Sequence, residues 1–197
     1  MKIYKLLHYL TFLTLIGSTS YANSDGFYIG TDVTLASFGD QSLKITNKDK
    51  STKTYKDIES GHGAIKVGYQ HFDGNRVELY YRNNNLDTKV GDITTETVGI
   101  NYEWAFSSLA SETITPYLLL GFGGGKATSS KIKTIDGAEA GEGSLGLGIH
   151  YQYNENLDFQ LGYLATSTGF DNFDDKTIDK TSTIDQDKVT LGLSYKF

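Results

Sequence analysis

The chain has 197 residues, a length that fits one domain, and it contains 22 glycines, 14 tyrosines, one proline and no cysteine. Without cysteine it forms no disulfide scaffold, no thiolate metal site and no cysteine nucleophile. The formal net charge of −6 disfavours a nucleic-acid partner, and the mean hydropathy of −0.35 is far below that of a helical membrane protein.

Residues 1–22 have the features of an export signal. Lys2 and Lys5 form a short positive region, a mostly apolar run follows, and Ser20-Tyr21-Ala22 places small residues where a signal peptidase cleaves. A membrane anchor is the alternative, but the apolar run is shorter than the ~20 residues that span a bilayer. We therefore predict cleavage after Ala22 and a mature barrel domain of residues 23–197, whose formal charge becomes −8 when the two lysines are lost.

The mature chain alternates apolar and polar residues in segment after segment, and no long stretch has the apolar spacing of a helix. Asp73-Gly74-Asn75 and Asn154-Glu155-Asn156 separate two pairs of these segments as hairpin turns do. In chain order the predicted strands are residues 27–37, 61–72, 76–83, 94–106, 116–125, 143–153, 157–167 and 188–197. Eight is an even number, as in bacterial transmembrane barrels.

Each predicted strand has an apolar face and an opposite face that is polar or glycine. In the third strand, for example, Val77, Leu79 and Tyr81 alternate with Glu78 and Arg82. This alternation alone fits either a soluble barrel with an apolar interior or a transmembrane barrel with its apolar face in lipid.

Three features favour the transmembrane barrel. Short and long connections alternate, as periplasmic turns alternate with extracellular loops. Strands of about 10–12 residues, tilted near 40°, span the roughly 25 Å height of an apolar band. Aromatic residues cluster at the turn ends like an interfacial girdle. The predicted girdle comprises Phe27, Tyr69, Phe72, Tyr102, Trp104, Phe106, Tyr117, Tyr151, Tyr153, Phe159, Tyr195 and Phe197. The predicted fold class is an all-β, eight-stranded antiparallel up-and-down transmembrane β-barrel.

The terminal strand ends on an aromatic residue and has apolar residues at every second position before it. These residues are Val189, Leu191, Leu193, Tyr195 and Phe197. The pattern is similar to the signal read by the barrel-assembly machinery. With residues 26–30 and Pro116-Tyr117, it makes the whole mature chain resemble the small outer-membrane β-barrel superfamily of OmpA-type and opacity-type surface proteins. The resemblance implies a protein of the cell outer membrane that contacts outer-membrane lipid and lipopolysaccharide and meets the assembly machinery during biogenesis.

Charged residues on the polar faces are the first candidates for function. They are Asp32, Lys66, Glu78, Arg82, Glu103, Asp158 and Lys188. Eight strands enclose an interior just wide enough for side chains to fill, and charges buried there must be paired. We predict a salt-bridge network that plugs and stabilises the barrel; a narrow ion path or gate is the alternative.

No residue pattern indicates catalysis, a metal or a cofactor. Residues 121–126 contain the wrong spacing for a phosphate loop, and their glycines instead leave room for larger neighbours. The mature chain's histidines, His62, His71 and His150, lack metal-ligand spacing. Outer-membrane lipid A deacylases resemble this architecture, but their His-x-Ser pattern is absent at His150.

Two predicted loops concentrate charge. Residues 38–60 contain the lysines Lys44, Lys48, Lys50, Lys53 and Lys56. Residues 169–186 are rich in aspartate but lack the ligand spacing of a calcium loop. Both fit ordinary solvated loops; alternatively, the lysines contact lipopolysaccharide phosphates or an acidic host or neighbour-cell surface.

The leading functional hypothesis is a non-enzymatic surface protein that supports envelope integrity or presents loops for adhesion. The second is a narrow porin-like channel or a port for small hydrophobic molecules. A soluble secreted barrel with an apolar ligand cavity is the third.

Overall fold

The computed structural model describes residues 25–46, 51–55, 59–88, 91–109, 113–129, 131, 135–171 and 181–197. The predicted export signal lies outside these residues. Within them, no helix is long and apolar enough to cross a membrane, a finding that has no bearing on crossing by strands.

The described residues form nine strands and one short 3₁₀ helix, Ser107–Leu109. The strands are β1 Gly26–Thr46, β2 Thr52–Tyr55, β3 Glu59–Gln70, β4 Arg76–Thr88, β5 Gly91–Ala105, β6 Ile114–Ser129, β7 Glu139–Gln152, β8 Leu157–Asp171 and β9 Thr181–Lys196. All of them except β2 pair antiparallel in chain order, and β1 also pairs with β9, so that the sheet closes. The short β2 pairs with the far end of β1. The predicted eight-stranded antiparallel barrel is confirmed.

The two ends of the barrel differ. At one end, called the turn end here, lie both ends of the closed sheet, Gly26 and Lys196, and the connections β3–β4, β5–β6 and β7–β8. The β3–β4 connection is a tight turn: Gly74 adopts a φ of 89°, and the carboxylate of Asp73 accepts the backbone N–H of Asn75 at 3.0 Å. The opposite end, called the loop end, holds the β1–β3, β4–β5, β6–β7 and β8–β9 connections.

Near the turn end, the wall is apolar outside and polar inside. On β4, the outward side chains Val77, Leu79 and Tyr81 are exposed, whereas the inward Glu78 and Arg82 are almost fully buried. The two faces follow from the period of two along a strand. An exposed apolar band with a charged interior is the arrangement that lipid requires on the outside of a barrel.

Toward the loop end, this polarity reverses. On the same strand Asn85 and Asp87 face outward and are exposed, whereas Leu86 faces inward and is buried. Inward apolar residues occupy this level around the barrel, among them Ile93, Ala127, Ala140, Phe170 and Ile184. A polar exterior over an apolar interior is the arrangement of a barrel in water, so the strands extend beyond the lipid on this side.

This reversal explains why some predicted strands were too short at the loop end. The first strand was expected to end at residue 37 and the last to begin at residue 188, but β1 continues to Thr46 and β9 begins at Thr181. Beyond the lipid the outward residues are no longer apolar, so the pattern that marks a lipid-facing strand stops although the pairing continues. Much of the predicted loop 38–60 is therefore strand, including β2, whose sequence Thr-Lys-Thr-Tyr carries no apolar alternation.

Candidate functional site

The lumen within the lipid-facing band is filled by charged side chains that contact one another across the barrel. Lys66 on β3 lies at its centre: its Nζ donates to Gln160 Oε1 at 2.6 Å and lies 3.2 Å from Glu78 Oε1 and 3.5 Å from Asp32 Oδ2. Glu78 also accepts the hydroxyl of Tyr28 at 2.7 Å. One ammonium group thus joins carboxylates from β1 and β4 to an amide of β8.

A histidine extends this network at each side. Asp32 Oδ1 lies 2.7 Å from His62 Nε2, and His62 Nδ1 lies 2.7 Å from the hydroxyl of Thr34. Toward the turn end, His150 Nε2 lies 3.0 Å from Glu103 Oε2, and Glu103 Oε1 accepts the amide of Gln160 at 2.9 Å. The histidines therefore link carboxylates to further polar groups instead of standing apart in the lumen.

Arg76 connects the network to the turn end. Its guanidinium forms an ion pair with Asp158, and Nη1 lies 3.1 Å from His150 Nδ1. Arg76 and Asp158 come from β4 and β8, which are not neighbours in the sheet. The pair therefore crosses the lumen and ties opposite walls together.

A second cluster lies closer to the loop end and centres on Glu142 of β7. Its carboxylate forms an ion pair with Arg82 and accepts the amide of Asn84 at 3.3 Å and the hydroxyl of Tyr80 at 3.1 Å. Lys188 Nζ donates to Asn84 Oδ1 at 2.8 Å. Arg82 and Glu142 are 1% and 4% exposed, so each would face a large desolvation cost without the other.

All seven predicted lumen charges lie on the inward face in these two clusters. The sequence reasoning omitted Arg76, His62, His150 and Glu142 from that set. The first three stand at the same alternate positions as the inward residues of their strands, so the alternation predicts that they face the lumen. Glu142 was missed because the sixth strand was predicted to begin one residue after it.

Three inward tyrosines fill space beside inward glycines. A Cβ on Gly68 would lie 2.5 Å from the ring of Tyr28, one on Gly99 would lie 2.5 Å from Tyr80, and one on Gly162 would lie 2.4 Å from the Tyr117 hydroxyl. Glycine at these positions lets the rings approach the wall closely. The assignment of Tyr117 to the aromatic girdle was wrong: it is 4% exposed and inward, because its odd position on β6 alternates with the lipid-facing Leu118 and Leu120.

Toward the loop end, the polar lumen gives way to a buried apolar cluster. It comprises Leu43, Leu86, Ile93, Ala127, Ile135, Ala138, Ala140, Phe170 and Ile184. This apolar layer lies between the polar lumen and the loop end of the barrel. At the opposite end the barrel opens into a cavity of about 390 Å³ lined by Arg76, His150, Asp158 and the β3–β4 and β7–β8 turns.

In the terminal strand β9 the apolar residues face outward and the polar residues face the lumen, as the alternation predicts. Val189, Leu191, Leu193, Tyr195 and Phe197 are less buried than the inward Lys188, Thr190, Ser194 and Lys196 between them. Of the predicted loop lysines, Lys44 is exposed on β1 and lies 3.2 Å from Asp185 of β9. Lys53 falls on β2, and Lys48, Lys50 and Lys56 lie outside the described residues.

In the described part of the chain, no group of three or more histidine and acidic side chains is placed to hold a metal ion. The geometry instead supports a closed, charge-filled barrel with an apolar exterior.

A family model for the outer membrane protein beta-barrel domain matches residues 9–197. The chain belongs to this outer-membrane β-barrel family. This family membership confirms the resemblance to small outer-membrane barrels and places the protein in the cell outer membrane. No curated protein sequence matches the chain.

Solved outer-membrane barrels share the fold at low sequence identity. Neisserial surface protein A is 16% identical with a TM-score of 0.59, over 87% of this chain and 97% of that one. OprG from Pseudomonas aeruginosa is 16% identical with a TM-score of 0.51, over 90% and 98%. AlkL, an outer membrane protein solved in lipid bilayers, is 13% identical with a TM-score of 0.55, over 92% and 94%. At these identities the likeness is one of fold.

Proposed function

We propose that this outer-membrane barrel is a non-enzymatic, non-conducting scaffold that supports the envelope and presents its extracellular loops. One observation carries the proposal: side chains block the lumen at two separate levels. The Arg82–Glu142 cluster and the Lys66 network span the barrel within the lipid-facing band, and the apolar cluster lies above them. A hydrated ion would have to displace paired charges and then enter an apolar layer, and both steps are costly.

A narrow channel is the second candidate, and the cavity at the turn end favours it. That cavity opens the polar lumen to the periplasmic side, since short turns face the periplasm in outer-membrane barrels. A channel would need only the two closed levels to rearrange, and its permeant ions would then pass both Glu103 and Arg82 on their way through the lumen.

Planar-bilayer recording of the refolded protein distinguishes these candidates. A scaffold gives no steady conductance at voltages where a known open porin, reconstituted in parallel, conducts. A channel gives steady conductance that falls or changes ion selectivity with Arg82→Glu or Glu103→Lys. Steady conductance that responds to these charge reversals would overturn the scaffold proposal.

The proposed partners of the loops are lipopolysaccharide phosphates or an acidic host or neighbour-cell surface. The five loop lysines supply the positive charge, and Lys44 is solvent-exposed beside Asp185. Replacing all five with glutamine should lower binding of cells that display the protein to heparinised or lipopolysaccharide-coated surfaces, more strongly at low salt. A matched five-site glutamine variant at the aspartates of residues 171–185 should not lower it. Equal binding by the lysine variant and the unchanged protein would contradict the loop role.

A further inference from the structure

Two members of the apolar cluster, Ile135 and Ala138, come from a loop. Ile135 lies in the β6–β7 connection, where side chains are normally solvated, yet it is fully buried. It packs in the same cluster as Leu86, Ile93 and Phe170, which face inward from the barrel wall. Residues 135–138 of this connection therefore lie at the mouth and place apolar side chains in the lumen.

Hydrogen bonds to the end of β6 hold the turn that carries Ile135 against the wall. Gly137 N–H donates to Ala127 O at 2.8 Å, and Ala127 N–H donates to Ala138 O at 2.9 Å. The carboxylate of Asp136 accepts the backbone N–H of Ser129 at 3.2 Å. Gly137 has a φ of 77°, which lets the chain reverse tightly. These bonds lie just beyond the last β6–β7 pair, Lys126 with Glu139, so the pairings that close the barrel are complete without them.

Directly below the cluster the lumen becomes polar. On β5, Ile93 is followed inward by Thr95 and Thr97, both buried. In the described part of the chain, the hydroxyl of Thr97 makes no hydrogen bond. The apolar layer thus lies between the loop end and polar groups that could form hydrogen bonds with water.

We propose that the turn of residues 135–138 is an apolar stopper that closes the loop end of the lumen, and that displacing it opens the polar lumen to the outside. The stopper goes beyond the scaffold role because it assigns closure of the loop end to the 135–138 turn. The Arg82–Glu142 cluster below it closes the lumen separately, so the scaffold proposal does not depend on the stopper.

Thiol accessibility tests the stopper, because the chain has no native cysteine. Thr97→Cys places a probe below the apolar layer, and Ser194→Cys places a control in the cavity at the turn end. Each is combined with Ile135→Gly or with the apolar control Ile135→Leu, and reaction with a charged methanethiosulfonate is timed in detergent micelles. Heat-dependent gel migration confirms that each variant is folded.

Ile135→Gly should speed the labelling of Cys at position 97 at least about tenfold, because the local opening that exposes a buried probe becomes more frequent. Ile135→Leu should leave the rate unchanged, and neither variant should change labelling at position 194. If Ile135→Gly does not fold, Asp136→Ala loosens the same turn and should give a smaller acceleration at position 97 alone. An unchanged rate at position 97 in a folded variant, or equal acceleration at both probes, would overturn the stopper.

Discussion

The ion pair between Arg82 and Glu142 should be one of the main stabilising contacts inside the barrel. Glu142→Ala removes the counter-ion of an arginine that is 1% exposed and takes an acceptor from Asn84 and Tyr80. Leaving a buried charge without its partner costs about 3–5 kcal/mol. We therefore expect the free energy of unfolding to fall by that amount, and the double variant Arg82→Met/Glu142→Ala to lose at least about 2 kcal/mol less than the two single variants together.

Urea unfolding in micelles measures these changes. Trp104, the single tryptophan, faces outward near the turn end, so its fluorescence reports loss of the barrel. The matched control is the exposed pair of Lys44 and Asp185, for which Asp185→Ala should cost about 1 kcal/mol or less. A Glu142→Ala loss no larger than this control, or additive losses in the double variant, would refute the view that the buried network holds the walls together.

The remaining predictions use the same fluorescence readout, and the two arginine variants are measured in liposomes. Gly99→Ala should cost more than about 2 kcal/mol, because the added methyl lies 2.3 Å from the backbone oxygen of Phe122, whereas Gly141→Ala, with no atom within 4 Å, should stay within about 0.5 kcal/mol. Leu147→Arg should cost about 2–4 kcal/mol because it places a charge in lipid. Gly141→Arg, outward on the same strand but nearer the loop end, should be nearly neutral. Equal costs for the two arginines would contradict the position assigned to the bilayer.

The lipid-facing part of the fold could be predicted from the sequence because lipid imposes one simple rule. Outward residues in the band are predominantly apolar, so Leu145, Leu147 and Ile149 mark β7 directly. Hairpin chemistry at Asp73 and Gly74 fixed the neighbouring register in the same local way. Both signals lie within a few residues of one another along the chain.

The sequence predicts which side chains enter the lumen, but it does not predict which of them pair with one another. Alternation assigns Arg82 and Lys66 to the interior, but their partners Glu142 and Gln160 lie 60 and 94 residues away on non-adjacent strands. Which charges meet depends on the relative stagger of strands around the closed barrel. No local pattern encodes that stagger.

The loop end was the least predictable part. Beyond the lipid the strands still alternate apolar and polar residues, but the apolar residues now face the lumen. Leu86 and Ile184 therefore face inward, whereas an apolar residue nearer the turn end faces outward. Ile135 lies between Thr134 and Asp136, a loop-like context in which one isoleucine carries no positional signal. Only the closed barrel shows that it is buried.

The proposed topology requires the apolar face of the wall to meet lipid, and a spin-label scan of β7 measures which face does. Single cysteines at the outward positions Gly141, Leu145, Leu147 and Ile149, and at the intervening inward positions, are labelled with a nitroxide in liposomes. Collision rates with oxygen and with a water-soluble nickel chelate are then compared. We predict high oxygen and low nickel collision at 145, 147 and 149, low values of both at the inward positions, and high nickel collision at 141. High nickel collision at 145, 147 and 149, or low collision with both reagents there, would show that these side chains face water or a protein interior and would contradict the account.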